Sequence, residues 1–460
     1  MTARILRIEL RRSVAVPVAL VLAAVGTALL LTFTEGFAGR WMQLAVAGRV
    51  LLAALWPLTL AGGVWMGRRD ARSRVGELFA TTARPRRQRV RPAAAALALC
   101  AVAGYALPLL AGAAWVIPTS GYFPADAVTV SAIGALSLVA AGWLGLAAGR
   151  AAPRLVTAPL LAVAAFAAGT LLPDWLTTRA SVSDGGLDQA PSALLLTPVM
   201  VNPPADFQTI TTRVDLVQAL WLAAVAASGL LLFGARRRGL ALAAAPAVVA
   251  TAAALVLLPT GGYRAAAAVD PGAVALVCDR DGRPVCVRRA HAGLLPDVTA
   301  PARRALTLMA DRLPGSPGRA VESRALPFWA DRDAAQRAGV TPAGTLVFDS
   351  PDIGPRGHAG FDRDPVTTML EAAFRGDCGD GPETPDAVLA RTVAAAWLRG
   401  RPPVPLLWSD AATDRTADRA YRELTRLSPD DQRRLVARAR LAALRCDTSP
   451  LAALLHPGSA

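Results

Sequence analysis

The chain has 460 residues, 53% of them hydrophobic, with a mean hydropathy of +0.39 and a formal net charge of +15. All 49 basic residues are arginine, which excludes both the lysine of a Walker A phosphate loop and lysine Schiff-base chemistry. Eighteen of the arginines, against only Glu9, Asp70 and Glu77, flank long apolar runs, so the excess charge is a membrane-topology signal and not a nucleic-acid face.

Met1–Ser13 sets Ile5, Leu6 and Leu10 beside Arg4, Arg7, Arg11 and Arg12. Two readings fit: a short helix lying in the membrane interface, or a plain positively charged flank. The uncharged run Val14–Phe33 is long enough to cross about 30 Å of hydrocarbon. No small-residue cleavage site follows it, so it is expected to remain as the first span. The second span is expected over Val50–Met66, with Arg49 snorkelling at its outer end.

The segment Gly67–Pro92, GRRDARSRVGELFATTARPRRQRVRP, follows at once. Arginine-rich short loops stay on the cytoplasmic side, so it sets the orientation of the chain. Its centre, Arg74–Thr82, reads as a short amphipathic helix with Val75, Leu78 and Phe79 on one side, and Pro85 closes it. An apolar-faced helix in a cytoplasmic loop offers a surface to a partner. With its arginine-rich lead, Glu77-Leu78 pair, Thr81-Thr82 step and Pro85-Arg86 exit, the segment resembles the loop after the second span in exporter-type (type 2) ABC transporter permeases of actinobacteria. The resemblance implies a coupling helix that docks on a separate cytoplasmic ABC ATPase subunit through Arg72, Arg74, Val75, Glu77, Leu78, Phe79, Arg86 and Arg87. It also implies a homo- or heterodimer of permease subunits in the lipid bilayer. ATP would then be held by the partner, and no cofactor is expected on this chain.

Further spans are expected at Ala93–Ile117, Ala127–Ala148, Leu155–Leu172, Leu216–Gly234 and Leu240–Leu258, with Arg150, Arg154 and Arg236–Arg238 at inner turns. Ala190–Val201, APSALLLTPVMV, is too short to span and reads either as a re-entrant segment or as an apolar loop packed on the outer side. Related permeases place short half-helices there, and they usually have six spans. The seventh would deliver the C-terminal region to the far side of the membrane. On these boundaries no ionisable residue falls mid-span, which argues against an ion-coupled carrier.

From Thr260 the pattern changes to short apolar stretches with Pro/Gly turns, giving an expected division into 1–259, a transmembrane domain, and 260–460, an extracytoplasmic domain. Ala273–Val277 and Val285–Arg288 read as strands about Asp281-Gly282-Arg283, which puts Cys278 opposite Cys286. A disulfide there suits an oxidising compartment, with zinc binding alongside His291 as the rival. Locality then favours pairing Cys378 with Cys446, and leaves Cys100 free within a span. Helices are expected at Val298–Leu313, Asp364–Phe374, from Thr384 to before Gly400, and from a Ser428 cap to about Arg445, with a strand at Gly344–Phe348. No zinc-protease or serine-hydrolase motif occurs in this region.

The expected fold is an all-α polytopic membrane protein of about seven transmembrane helices. A small mixed α/β, mainly helical, disulfide-containing extracytoplasmic domain follows. The expected function is that of an ABC exporter permease, non-catalytic in itself, in the plasma membrane. The rivals are a membrane-anchored sensor or assembly protein and a polytopic membrane glycosyltransferase.

Overall fold

The computed structural model describes residues 2–69, 86–182, 190–200, 204–235, 239–260, 263–323, 344–376, 384–406 and 409–457. The chain divides into two compact units, Met1–Asp270 and Pro271–Ala460. The first extends past Pro259 because strand β2 (Ala267–Val269) pairs antiparallel with β1 (Gln208–Ile210) and ties the residues after the last long helix back to that unit.

The first unit is a helix bundle. Seven helices among the described residues are long and apolar enough to cross a membrane: Ala15–Gly36, Trp41–Gly67, Val90–Val116, Asp126–Ala151, Thr157–Ala180, Thr212–Gly234 and Leu240–Leu257. A preceding helix, α1 (Thr2–Arg12), carries Leu6 and Leu10 onto Ala94 and Leu97 of the third long helix. Arg69 holds α1 to the end of the second long helix by an ion pair with Glu9 at 3.1 Å. We label the seven α2 to α8 in that order.

The bundle is built around α3 (Trp41–Gly67) and α5 (Asp126–Ala151). Gly63 and Gly67 of α3 lie against the backbone of Gly142 and Leu146, and Gly145 and Gly149 of α5 lie against the backbone of Leu60 and Val64. A Cβ at any of the four would collide with a main-chain carbonyl oxygen. Small residues spaced one turn apart let helices approach closely where burial against lipid gives no hydrophobic gain. The α7 helix (Thr212–Gly234) joins the other side of α5 in the same way, through Gly229 against Trp143 and Leu144. At that end Arg150 donates to the carbonyl oxygens of Phe233 and, at 2.8 Å, Ala235, satisfying orphan acceptors at the end of α7.

The second unit packs helices on a four-stranded sheet of order β3 (Leu276–Asp279), β4 (Val285–Arg288), β5 (Arg319–Glu322), β6 (Thr345–Phe348). The first pair is antiparallel and places Cys278 opposite Cys286, which form a disulfide. The other two pairs are parallel. A parallel step from β4 to β5 needs a crossover, and α9 (Leu295–Arg312) supplies it, burying Val298, Leu306 and Met309 against Val285, Val287 and Leu346. Four further helices complete the core: α10 (Pro365–Ala372), α11 (Pro385–Arg399), α12 (Ala411–Arg426) and α13 (Pro429–Ala443). Gly400 ends α11 at φ +67°, a left-handed turn that favours glycine. Two departures stand out: Pro271–Val274 is a helical turn where a strand was expected to begin, and α12 and β5 were not anticipated.

The helices α10 to α13 start on side-chain caps. Asp364, Thr384, Asp410 and Ser428 accept from the amides of Thr367, Ala387, Thr413 and Asp431 respectively. Burial works to raise the Asp364 carboxyl, but hydrogen bonds from the Thr367 hydroxyl and amide and the nearby Arg399 outweigh it and hold the group below its usual range. A carboxyl depressed in the fold contributes stability that is present above its unfolded value, about 3.9, and is lost as the pH falls through the lower folded value. The thermal midpoint of this unit, followed in the full chain by tryptophan fluorescence, should therefore fall as the pH drops below about 4. Asp364→Ala should cost about 1 kcal/mol at neutral pH, a few degrees in midpoint, and should flatten that acid dependence.

Candidate functional site

The second long helix begins at Trp41, well before the expected Val50, so Arg49 lies inside it and not at its outer end. The residue is 1% exposed. At 1.5 Å per residue it sits about 12 Å from the start of the helix. Its Nε donates to the Pro198 carbonyl at 2.6 Å and its Nη2 to Gln218 Oε1 at 2.9 Å. The charge also acts on Tyr105 of α4 and on Asp215 in the first turn of α7. The expectation of spans free of internal charge therefore fails. A buried arginine at membrane depth costs at least about 3 kcal/mol, and such residues are functional-site candidates.

Glycines make the room. Added Cβ atoms at Gly48 and Gly134 would strike the Tyr105 hydroxyl, and one at Gly134 would also come within 3.2 Å of Arg49 Cδ. The ring of Tyr105 and the stem of Arg49 therefore fill the space that two glycines leave between α3, α4 and α5. Tyr105 and Asp215 are 2% and 5% exposed, yet the Tyr105 hydroxyl and Asp215 Oδ1 have no protein hydrogen-bond partner among the described residues. Asp126, at the start of α5, contributes a further charge facing Asp215 and accepts from the Thr209 hydroxyl at 2.8 Å.

Arg49 and Gln218 together hold the short apolar segment between the fifth and sixth long helices. Ser192–Leu196 forms one 3-10 turn with Leu194, Leu195 and Leu196 buried. The Gln218 amide donates to the carbonyls of Leu195 at 2.7 Å and Thr197 at 3.0 Å, while its oxygen takes the Arg49 bond. Val199 beyond it joins the core of Leu51, Leu52 and Leu55 and comes near Gly169 and Trp56. Gly169 lies in a π-helical turn, Ala167–Leu171, of the fifth helix. Such turns frequently sit at functional sites. The segment is thus neither a surface loop nor a span. It is a plug of one 3-10 turn and the chain after it, with the carbonyls of Leu195, Thr197 and Pro198 satisfied by two buried side chains, as irregular chain among spans requires.

Among the described residues of the second unit, Glu322 centres a buried polar cluster. Glu322, fully buried, accepts from the Arg288 amide and the Ser350 hydroxyl and faces His291 Nδ1, each at 2.5 Å. Ser350 donates to the carboxylate and not to the imidazole, so these contacts do not align as a nucleophile and its base. They anchor β5 to β4, to the turn after it and to the chain after β6. No group of three or more His, Cys, Asp or Glu able to hold a metal occurs among the described residues. Cys446 is also in disulfide form, and its expected partner Cys378 lies outside the described residues. Cys100 is free and buried in α4 (Val90–Val116 as a span, continuous from Arg86).

Of the expected coupling residues, Arg72, Arg74, Val75, Glu77, Leu78 and Phe79 lie outside the described residues. Arg86 and Arg87 begin the helix that runs to Val116. The structure instead brings forward Arg49, which sequence reasoning placed at the outer end of its span, and Tyr105, Asp215 and Gln218, which it passed over. The available signal was the Gly48-Arg49 pair inside a stretch whose flanks, Leu44–Ala47 and Val50–Ala54, are both apolar. No family model, curated protein or solved structure matches this chain.

Replacing Arg49 by Met should leave Gln218 Oε1 and the Pro198 carbonyl buried without their donor, at a cost on the order of 3 kcal/mol. Arg49→Lys should recover only part of it, since one ammonium does not reproduce the fork. In detergent, Leu196→Cys should resist thiol labelling in the parent and react at least tenfold faster beside Arg49→Met. Equal protection in both would show that the arginine does not hold the plug.

Proposed function

We propose that this chain is the permease subunit of an ABC exporter, in the plasma membrane with the N-terminus inside and residues 271–460 outside. The observation that carries the reading is the buried plug Ser192–Leu196 between the fifth and sixth long helices, where related exporter permeases have short half-helices. Two features support it: an amphipathic helix against the start of the third long helix, and an arginine-rich connection between the second and third. In this reading ATP hydrolysis on a partner subunit moves Gly67–Pro92, and α3, continuous from Trp41 to Gly67, carries the movement to Arg49 and the plug.

Arg49 and Asp215 favour a second reading, an ion-coupled carrier, because charges inside spans accompany ion pathways. Gentle purification separates the two. In the exporter reading an ATPase subunit copurifies, and transport in vesicles requires ATP and persists when ion gradients are collapsed. Leu78→Asp with Phe79→Asp should abolish that association without changing abundance, since burying each side chain is worth roughly 1.5–3 kcal/mol. Arg86→Ala should do much less, an exposed ion pair being worth about 1 kcal/mol or less. Absence of any ATPase from the parent complex would overturn the exporter reading.

Orientation has its own test. Cysteines introduced at Ser183 and Ser459 should react with an impermeant thiol reagent on intact spheroplasts, and one at Ser73 should not. Labelling at 73 with protection at 459 would invert the scheme.

A further inference from the structure

An open groove of the second unit, about 1070 Å³, runs between the end of α9 and the length of α13. Its floor is apolar: Leu313 and Pro314 on one side, Ala437 and Leu441 on the other. Leu441 is 44% exposed and extends that apolar floor towards the groove's opening. Arg434, Arg438, Leu441 and Arg445 are spaced at four, three and four residues and so face the groove as one stripe. Arg434 is engaged by Asp431 at 2.5 Å and Arg433 by Asp430 at 3.6 Å. Arg312, at the far wall, is held by the Trp397 carbonyl at 2.6 Å. Arg438 and Arg445 are exposed and make no ion pair among the described residues.

We propose that this groove binds an acidic peptide segment of a partner protein, laid in extended form along α13 with carboxylates on Arg438 and Arg445 and apolar side chains on the Leu441 strip. The two arginines are about 10 Å apart along the chain direction, which an extended peptide covers in three residues. That spacing suits acidic side chains three or four positions apart with an apolar one between. Arginine forks pair carboxylates in two parallel bonds, and an exposed apolar strip gains from being covered.

Other anionic partners fit less well. Asp311, Asp430 and Asp447 also line the groove, so a uniform phosphodiester chain would meet three like charges. A peptide meets the same carboxylates with its backbone N–H donors. A bilayer surface is too flat to follow a concave groove and reach its apolar floor. Charge complementarity alone would accept any anion; the strip and the interspersed carboxylates select the peptide. This inference does not depend on the transport reading.

The test uses the full chain in phosphatidylcholine nanodiscs and a fluorescent, end-blocked peptide of repeating Glu-Ser-Leu-Ser, which puts glutamate and leucine on one face of an extended chain, read by anisotropy. Saturable binding is expected, weakening as salt rises. Arg438→Glu with Arg445→Glu, both at exposed positions, should weaken it at least tenfold, and Leu441→Asp should weaken it at unchanged charge on the arginines. A lysine-leucine peptide should not bind. No saturable binding of the acidic peptide, or equal binding by the double reversal, would overturn the proposal. So would tighter binding of inorganic polyphosphate lost in the same variant, or binding confined to phosphatidylglycerol vesicles. Those two outcomes would reassign the groove to a phosphate polymer or a lipid surface respectively.

Discussion

The membrane-type unit depends on one contact, the main-chain approach of α3 to α5 at Gly63, Gly67, Gly145 and Gly149. In water a helix pair gains by removing apolar side chains from solvent. Between lipid-facing helices that gain vanishes, and dispersion between close backbones takes its place. Glycine permits it only where every other residue would clash, which is why the four positions fall at successive turns of two facing helices. With α3 and α5 locked, α7 adds to the opposite side of α5 through Gly229, and the remaining helices pack more loosely. The seventh long helix, Leu240–Leu257, buries only Ala243 and Ala254 and leaves Leu242, Val248 and Val256 exposed, the pattern of a helix facing lipid on most of its surface.

That lock lies in the half of α3 towards Gly67. Nearer Trp41 the two helices are still close, but Gly48 and Gly134 now open a recess instead of a backbone contact. Tyr105 fills it with its ring, and Arg49 lays its stem along the same space and turns its guanidinium towards α7 and the plug. A guanidinium this deep persists only because its hydrogen bonds are made, one to a carbonyl that no helix satisfies and one to a side-chain amide already committed to two more such carbonyls. The plug and the arginine therefore require each other. Without the plug the charge loses the Pro198 carbonyl, and without the charge Pro198 and Gln218 lose a donor.

Much of this was legible in the sequence, and the boundary of legibility has physical reasons. Long uncharged runs identify their helices because crossing hydrocarbon demands length and apolarity together. The Cys278–Cys286 opposition followed from a turn centred on Gly282, whose φ of +88° is the one a tight turn needs there. The caps at Asp364, Thr384 and Ser428 are written locally for the same reason. What failed was anything settled by a distant partner. The span holding Arg49 was cut short because hydropathy reads charge as an end, and only residues 149 and 169 positions away make it tolerable. Strand β5 was missed because its pairing with β4 and β6 is parallel and long-range, and Arg319 and Glu322 at its ends disguise it. Helix α12 was missed because its buried face is small, Ala417, Ala420 and Leu424, within a strongly charged stretch.

The two units bury charge by opposite means. Glu322 sits where three elements of a folded sheet converge, with donors from a strand amide, a serine and a histidine, all within one cooperative core. Releasing it would unmake the sheet. Arg49 instead joins a helix of 27 residues to Pro198, in the chain that follows a single 3-10 turn. The turn is held further by the Ser192 hydroxyl on the Pro259 carbonyl and by its three buried leucines, so Arg49 is one of several ties between it and the bundle. Local rules of sequence are broken most openly at this arginine, and such breaks fall preferentially where a protein does its work.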